Sequence, residues 1–257
     1  MSNDLQRALT YLSGLELPAP RFGATSFTAP PIDFDAARDQ ALVVGSEVVS
    51  FVRGVTAEQR GDIVNSTTLA QLAAKKAVPE PRSLEEVRRW YQKYFEVLGS
   101  VGFVTQQANL QHYSAKGEGF QAHEAVLQVA GTLLTGSPTA LAVLTSTVKA
   151  LQSADGGNPW FTVFNRESRS ANTAHFQVST VDRDPNGELF VALTAFALEA
   201  KQKITQVLLF KFGKSAVRIE NHAGKASINA ALLAGLRPRV SQMLLGKAED
   251  FLRGLEI

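Results

Sequence analysis

Apolar positions recur at three- and four-residue spacings through the first part of the chain and at alternate positions through the last part. The first period belongs to a helix with one buried stripe, the second to a strand whose side chains alternate between two faces. Ser2 or Asn3 caps a first predicted helix that runs to about Ser13 and stops at Gly14. Residues 15–34 carry Pro18, Pro20, Pro30 and Pro31, which bar a long helix, while Phe22, Phe27, Ile32 and Phe34 tie the segment to the body of the protein. A helix opened by Asp33 or Asp35 then puts Ala37, Ala41, Val44, Val48 and Val52 on one stripe. Thr56 to Gln59 reads as a capping box for a helix reaching about Lys76, and Ser83 to Glu86 as a second one. The helix after Ser83 gathers Val87, Trp90, Tyr91, Tyr94, Phe95 and Leu98 on one face and ends at Gly99 and Gly102. Residues 103–113 fit neither period, and Gly117 and Gly119 mark a loop. Further helices are predicted at about 121–135 and 138–153, the latter started by Ser137 with Pro138 at its first helical position.

The pattern changes at Gly156-Gly157-Asn158-Pro159. Beyond it WFTVFNRES, AHFQVSTVD, ELFVALTAFAL, ITQVLLFKF and AVRIEN read as five strands. The third and fourth are apolar on both faces and belong at the centre of a sheet covered twice. Asp184-Pro-Asn-Gly187 supplies a tight hairpin turn, and helices near 226–234 and 237–254 close the chain. The expected class is α+β: a helical N-terminal half packed on a five-stranded, mainly antiparallel sheet, with C-terminal helices. One domain spans 1–257, with a helical layer over about 1–155 and the sheet and terminal helices over about 156–257, because neither half offers a complete core alone.

From Ala125 to Val148 no Asp, Glu, Lys, Arg or His occurs in 24 residues. A membrane span needs about 20 apolar residues, but Gly136-Ser137-Pro138 breaks this run and Thr, Ser and Gln dilute it. It reads either as a helical hairpin buried on the sheet or as a surface that contacts lipid. The strands carry a related ambiguity. Phe190, Ala192, Thr194 and Phe196 share a face, with Val178 and Thr180, and Leu208 and Phe210, in reach on neighbouring strands. Large residues interleaved with small ones leave an apolar pocket or admit a close-packed helix. The candidate pocket comprises Val178, Thr180, Phe190, Ala192, Phe196, Leu208 and Phe210 from the strands and Leu133, Leu141 and Leu144 from the helices.

Composition narrows the chemistry. The chain has no cysteine, which excludes disulfides, thiolate catalysis and thioester-linked lipid. Its 26 basic and 24 acidic residues alternate, leaving +2 and no block of like charge for nucleic acid. The four histidines, His112, His123, His175 and His222, lack metal-ligand spacing, and His175 falls on the strand face opposite Phe176. Asp182 to Gly187 opens like a calcium loop, yet the required twelfth-position acid is Leu193. Gly213-Lys214-Ser215 ends like a phosphate loop, yet its first glycine is Leu208. No GxSxG turn marks a nucleophile, so the expectation is a protein that is not an enzyme and carries no metal or cofactor, with a hydrolase built on a dispersed Ser–His–Asp triad as the remaining alternative. The N-terminus lacks a basic region ahead of an apolar core, so the protein is expected in the cytoplasm as made, with export by a route without a cleaved signal left open.

The order FQVSTVDRDPNG, ELFVALTAFALEA and VLLFKF, followed by a terminal segment ending FLRGLEI, resembles the Erwinia virulence factor (Evf) family over roughly residues 160–257. The resemblance implies a non-enzymatic α/β protein that promotes bacterial persistence in an insect gut. It also implies a fatty acid in an internal pocket, linked in that family to a cysteine. This chain has none, so either the implied lipid binds without a covalent bond or side chains fill the pocket; Ser179 and Thr180 are the nearest small polar positions in the matching strand. The expected function is a non-catalytic lipid-binding or membrane-associating virulence-type protein, with lipid or a membrane surface as partner. The alternative is a protein-interaction or self-assembling effector module with a filled core and a protein partner.

Overall fold

A computed structural model describes residues 2–19, 32–105, 109–111, 120–153, 158–201, 203–204, 207, 211–212, 218–245, 247 and 252–255. In chain order its elements are α1 (Asn3–Ser13), β1 (Gln40–Val44), β2 (Glu47–Phe51), α2 (Ala57–Ala77), α3 (Leu84–Ser100), β3 (Phe103–Thr105), β4 (Asn109–Gln111), β5 (Phe120–Gln121), α4 (Ala122–Leu133), α5 (Pro138–Ser153), α6 (Pro159–Ser168), β6 (Arg169–Ser170), β7 (Thr173–Arg183), β8 (Leu189–Glu199), β9 (Lys211–Phe212), β10 (Arg218–Ile228), α7 (Ala230–Leu244) and β11 (Leu252–Leu255). The main sheet runs β11-β1-β2-β7-β8-β10-β3, with β4 also on β10 and β6 on β7. Every pairing in it is antiparallel except β2 with β7. The class is thus α+β.

Helices cover the sheet on both faces. On one side Leu42, Val44, Val49 and Phe51 of the first hairpin join Val181, Val191 and Leu193 in a core filled by α1, α2, α3 and α7. On the other, Ala41, Val43, Val48 and Val52 join Phe176, Val178, Phe190 and Phe196 in a core filled by α4, α5 and α6. Alternate strand residues feed alternate cores, as the pleat requires. β7 and β8 are buried along almost their whole length.

The caps at Ser2, Thr56 and Ser83 form as the sequence indicates: each side chain accepts a backbone N–H one turn on. The DPNG turn forms too, with Asp184 Oδ1 accepting the N–H groups of Asn186 and Glu188 at 2.9 Å each and Gly187 at φ 84°. The helix expected over 33–52 is instead the β1–β2 hairpin. Gly45, at φ 58°, turns the chain between Val44 and Glu47, and the supposed single stripe divides: Val44 enters one core, Ala41, Val48 and Val52 the other. The N-terminal half is therefore not wholly helical, and the sheet exceeds five strands. The expected strand WFTVFNRES is α6, with Pro159 at its start and Trp160, Val163 and Phe164 buried at helical spacing. Of ITQVLLFKF, Lys211 and Phe212 form β9, which pairs with β5 outside the main sheet, and β10 takes the place beside β8. The strand expected to end at Asn221 continues to Ile228, so the helix expected from 226 begins at Ala230 and passes through Pro238. The expected final helix ends at Leu244, and Leu252–Leu255 pairs as a strand with β1. Gly213 to Ser215 and Gly156-Gly157 lie outside the described residues.

Candidate functional site

The sequence-derived pocket falls on the sheet face beneath α4 and α5. Val178, Phe190, Ala192, Phe196 and Leu144 share one buried cluster, with Leu141 packed partly buried against it. Thr180 lies on the same face, paired across the register with Ala192, and its hydroxyl meets that of Ser50 at 2.9 Å. Leu133 is half-buried on α4, and Leu208 and Phe210 lie outside the described residues. Phe196 stacks on Phe176 at 5.0 Å, and Phe164 meets Phe176 edge-on at 6.1 Å. Ala125, Ala130 and Ala140 let the two helices approach these rings. Ser179 lies on the opposite face, donating to Glu47 Oε1 at 2.7 Å. The Ser179 and Thr180 hydroxyls thus hold the parallel β2–β7 seam together.

The charge-free run folds as most of α4, a turn at Gly136 (φ 91°), and most of α5, with exposed Glu124 and Lys149 just beyond its two ends. Its inner stripe is buried, and its outer side exposes Gln128, Thr132, Thr135, Thr139, Ala142 and Ser146. Several of its hydroxyls turn back on the helix. Thr132 donates to the Gln128 carbonyl at 3.2 Å, Thr135 to that of Thr132 at 2.9 Å, and Thr145 to that of Leu141 at 2.8 Å. Such back-bonding satisfies these hydroxyls within the helix. Among the described residues no helix is long and apolar enough to cross a membrane.

The opposite face carries two clefts. The first, of about 390 Å3, lies between α3 and strands β8 and β10. Its floor is Ala195 and Ala197, where β8 switches from the larger Val191 and Leu193 to small residues on the same face. Tyr91 and Phe95 form a wall, with His222 tilted on Phe95 at 4.6 Å. The Tyr91 hydroxyl reaches the carbonyl of Phe196 at 2.7 Å. Arg88 Nε donates to Glu220 Oε2 at 2.8 Å beside it. Apolar walls with few polar groups are the usual setting of an apolar ligand. The sequence signal was the alanine at alternate positions of ELFVALTAFAL, on the face opposite the one chosen.

The second cleft, of about 380 Å3, is polar. Gln71 and Lys75 come from α2, Arg166 and Glu167 from the end of α6, Ser46 from the first hairpin turn, and His175 from β7. Glu167 forms ion pairs with Lys75 and, at 2.8 Å, with Arg166. Burial pushes its carboxyl up, but the two cations more than offset this and hold it below the usual range. His175 is 5% exposed, its ring 4.4 Å from that of Trp90, and its Nδ1 has no hydrogen-bond partner. Burial depresses its pKa to about 4, so the ring is neutral at pH 7. An unpaired buried group of this kind costs about 1–3 kcal/mol. Ala171 lines the rim in the left-handed region, at φ 51°.

Behind this cleft Glu47 is fully buried at the start of β2. Burial raises its pKa to about 7, against hydrogen bonds from Ser179, Tyr94 (2.7 Å) and Gln71 (3.5 Å) that favour the ionised form. Gln71 also anchors the hairpin turn, donating to Val44 O at 2.7 Å and accepting from Ser46 N at 2.9 Å. The lone acid in EVVSF was the available signal for this network. Among the described residues no three His, Asp or Glu side chains converge on a metal site.

No family model matches the chain, and no curated protein does. Two solved structures share part of its outline. One is the Evf virulence factor, at 13% identity and TM-score 0.38, with 80% of this chain and 85% of that one covered. The other is a delta-endotoxin, at 13% identity and TM-score 0.31, covering 86% and 95%. These are weak structural resemblances and carry no functional assignment.

Proposed function

We propose that this is a non-catalytic protein of virulence type that works by contact with lipid. The observation that carries the reading is the outer side of α4–α5. A surface helix ordinarily sets charges on its solvent side; here the exposed Glu124 and Lys149 stand only at the far ends of the hairpin, and between them Gln128, Thr132, Thr135, Thr139, Ala142 and Ser146 are all uncharged and exposed. Moving a charged side chain out of water costs several kcal/mol; the 24 residues from Ala125 to Val148 carry none. With helices of 12 and 16 residues, shorter than the roughly 20 a span needs, the contact is interfacial. The α3–β8–β10 cleft offers a place for an apolar ligand held without a covalent bond, in keeping with the absence of cysteine. The virulence setting rests on the sequence resemblance of residues 160–257.

Liposome flotation tests the contact. Wild type is expected to float with vesicles, and a Thr139→Lys/Ala142→Glu pair to lose at least ten-fold of that while keeping its melting temperature. Native mass spectrometry tests the cleft: a co-purifying lipid should be lost on Ala197→Phe. Wild type that neither floats nor carries lipid overturns the proposal. The side-chain core beneath α4–α5 favours a second reading, a protein-interaction module, which predicts capture of a defined protein partner and indifference to vesicles.

A further inference from the structure

We propose that the cleft between α3, β8 and β10 takes an uncharged, flat-ringed amphiphile with a single hydroxyl, the chemistry of a sterol, rather than a fatty acid. The rings lie on Ala195 and Ala197, and the hydroxyl meets the imidazole of His222. This ligand class refines the apolar ligand proposed above for the same cleft and rests on that reading.

Three lines of side chains shape the cleft. Arg88, Tyr91 and Phe95 stand on α3 at spacings of three and four, so they run along one side. Ala195 and Ala197 form the floor from β8, and the register puts His222 beside Ala195 and Glu220 beside Ala197 on β10. An ion pair thus stands at one end and an imidazole at the other, two strand residues or roughly 7 Å along the alanine floor. The walls are flat and fixed. Tyr91 and Phe95 stack with 28° between their planes, and the Tyr91 hydroxyl is anchored on the carbonyls of Phe176 (3.0 Å) and Phe196 (2.7 Å). A volume of about 390 Å3 between such walls suits fused rings, which freeze no rotors on binding, better than an alkyl chain, which freezes many.

Charge disfavours a carboxylate. Arg88 is the single cation of the described lining. Its Nε and Nη2 both donate to Glu220, the first at 2.8 Å, so the planar fork that would seat a carboxylate is already filled. A fatty-acid headgroup would enter beside Glu220 and lose its water with no cation in return. His222 supplies the polar contact instead. It is half-buried and tilted on Phe95 at 4.6 Å, and among the described residues its ring nitrogens have no hydrogen-bond partner. Burial lowers its pKa from 6.5, so at pH 7 the ring is neutral, with one N–H donor and one acceptor. A hydroxyl, itself donor and acceptor, can use either nitrogen; a carboxylate, which only accepts, can use one.

Energy transfer from the tryptophans to dehydroergosterol reads sterol binding to the full chain, and displacement of this sterol ranks hexadecanol and palmitate. The sterol is expected to bind at least ten-fold more tightly than hexadecanol, and hexadecanol more tightly than palmitate, at pH 7. His222→Leu should weaken the sterol ten-fold or more without moving the melting temperature. Glu220→Gln, which releases Arg88, should tighten palmitate ten-fold or more and leave the sterol within about two-fold. The proposal is overturned if wild type binds palmitate as tightly as sterol, if it binds none of the three, or if His222→Leu binds sterol like wild type. Flotation on phosphatidylcholine vesicles, run in parallel, reads the α4–α5 side of the sheet. Wild type that floats without binding sterol sinks the ligand class alone; wild type that binds sterol without floating upholds it and removes the membrane contact.

Discussion

Two buried titratable side chains set opposing pH dependences. Glu47 has a folded pKa of about 7 against an ordinary 4.5. Below pH 4.5 it is protonated in both states and costs nothing; above it the unfolded chain releases the proton first, and stability falls until the folded pKa is passed. The full loss is about 3 kcal/mol. His175 runs the other way. Its pKa falls from 6.5 to about 4, so stability is intact above 6.5 and is lost as pH drops towards 4, again by about 3 kcal/mol. Between pH 4.5 and 6.5 the two slopes largely cancel. Glu47→Gln is therefore expected to turn the nearly flat wild-type profile between pH 4.5 and 6.5 into one that falls with acidification along the histidine limb, as read by urea unfolding from pH 4 to 8. A variant curve parallel to wild type would show that Glu47 does not carry this limb. Neither residue was legible as a pair in the sequence: one sits in EVVSF and the other in AHFQVSTVD, and only the parallel β2–β7 pairing brings those strands together.

At the scale of elements, legibility followed capping chemistry. α1, α2, α3 and α5 were located because Ser2, Thr56, Ser83 and Pro138 announce their starts. The β1–β2 hairpin was missed because both its faces are buried, so QALVV and EVVSF show no alternation to separate strand from helix. The decisive residue is Gly45, whose positive φ only a turn requires. Gly45→Val should lower stability by about 1–2 kcal/mol through left-handed strain, measured by chemical denaturation; an unchanged midpoint would mean the turn tolerates a side chain. Arg60, fully buried, secures the same hairpin by donating to the carbonyls of Val55 (2.9 Å), Arg38 (2.9 Å) and Val52 (3.2 Å). Arg60→Met removes a donor from each of those carbonyls, leaving Val52 only the N–H of Val55 at 3.4 Å, and is expected to cost more, about 3 kcal/mol, since breaking a buried charged network is among the most damaging substitutions.

At the scale of the whole molecule the chain interleaves its halves within one sheet. The front half contributes β1 and β2, which lie between β11 and β7 of the back half. α6 and β11 close over the same edge, and α7 docks on α2 through Arg237, whose Nε and Nη2 donate to Asp62 at 2.7 and 2.9 Å. This interleaving is why composition and period could give the α+β class but not the strand order: long-range pairing leaves no local mark. It also argues that neither half folds alone. A fragment of residues 1–155 would expose the β2 edge left by β7 and the β1 edge left by β11, and would keep only this two-stranded ribbon of the central sheet for five helices to pack on. A fragment of residues 158–257 would keep β7, β8 and β10 but lose α2 and α3 from one face and α4 and α5 from the other. Each fragment is expected to give collapsed spectra without cooperative unfolding, and co-expression to restore one sharp transition, followed by circular dichroism and amide dispersion. Cooperative unfolding of either fragment alone would divide the chain into two domains and move the seam at residues 156–159 from inside a domain to a boundary between two.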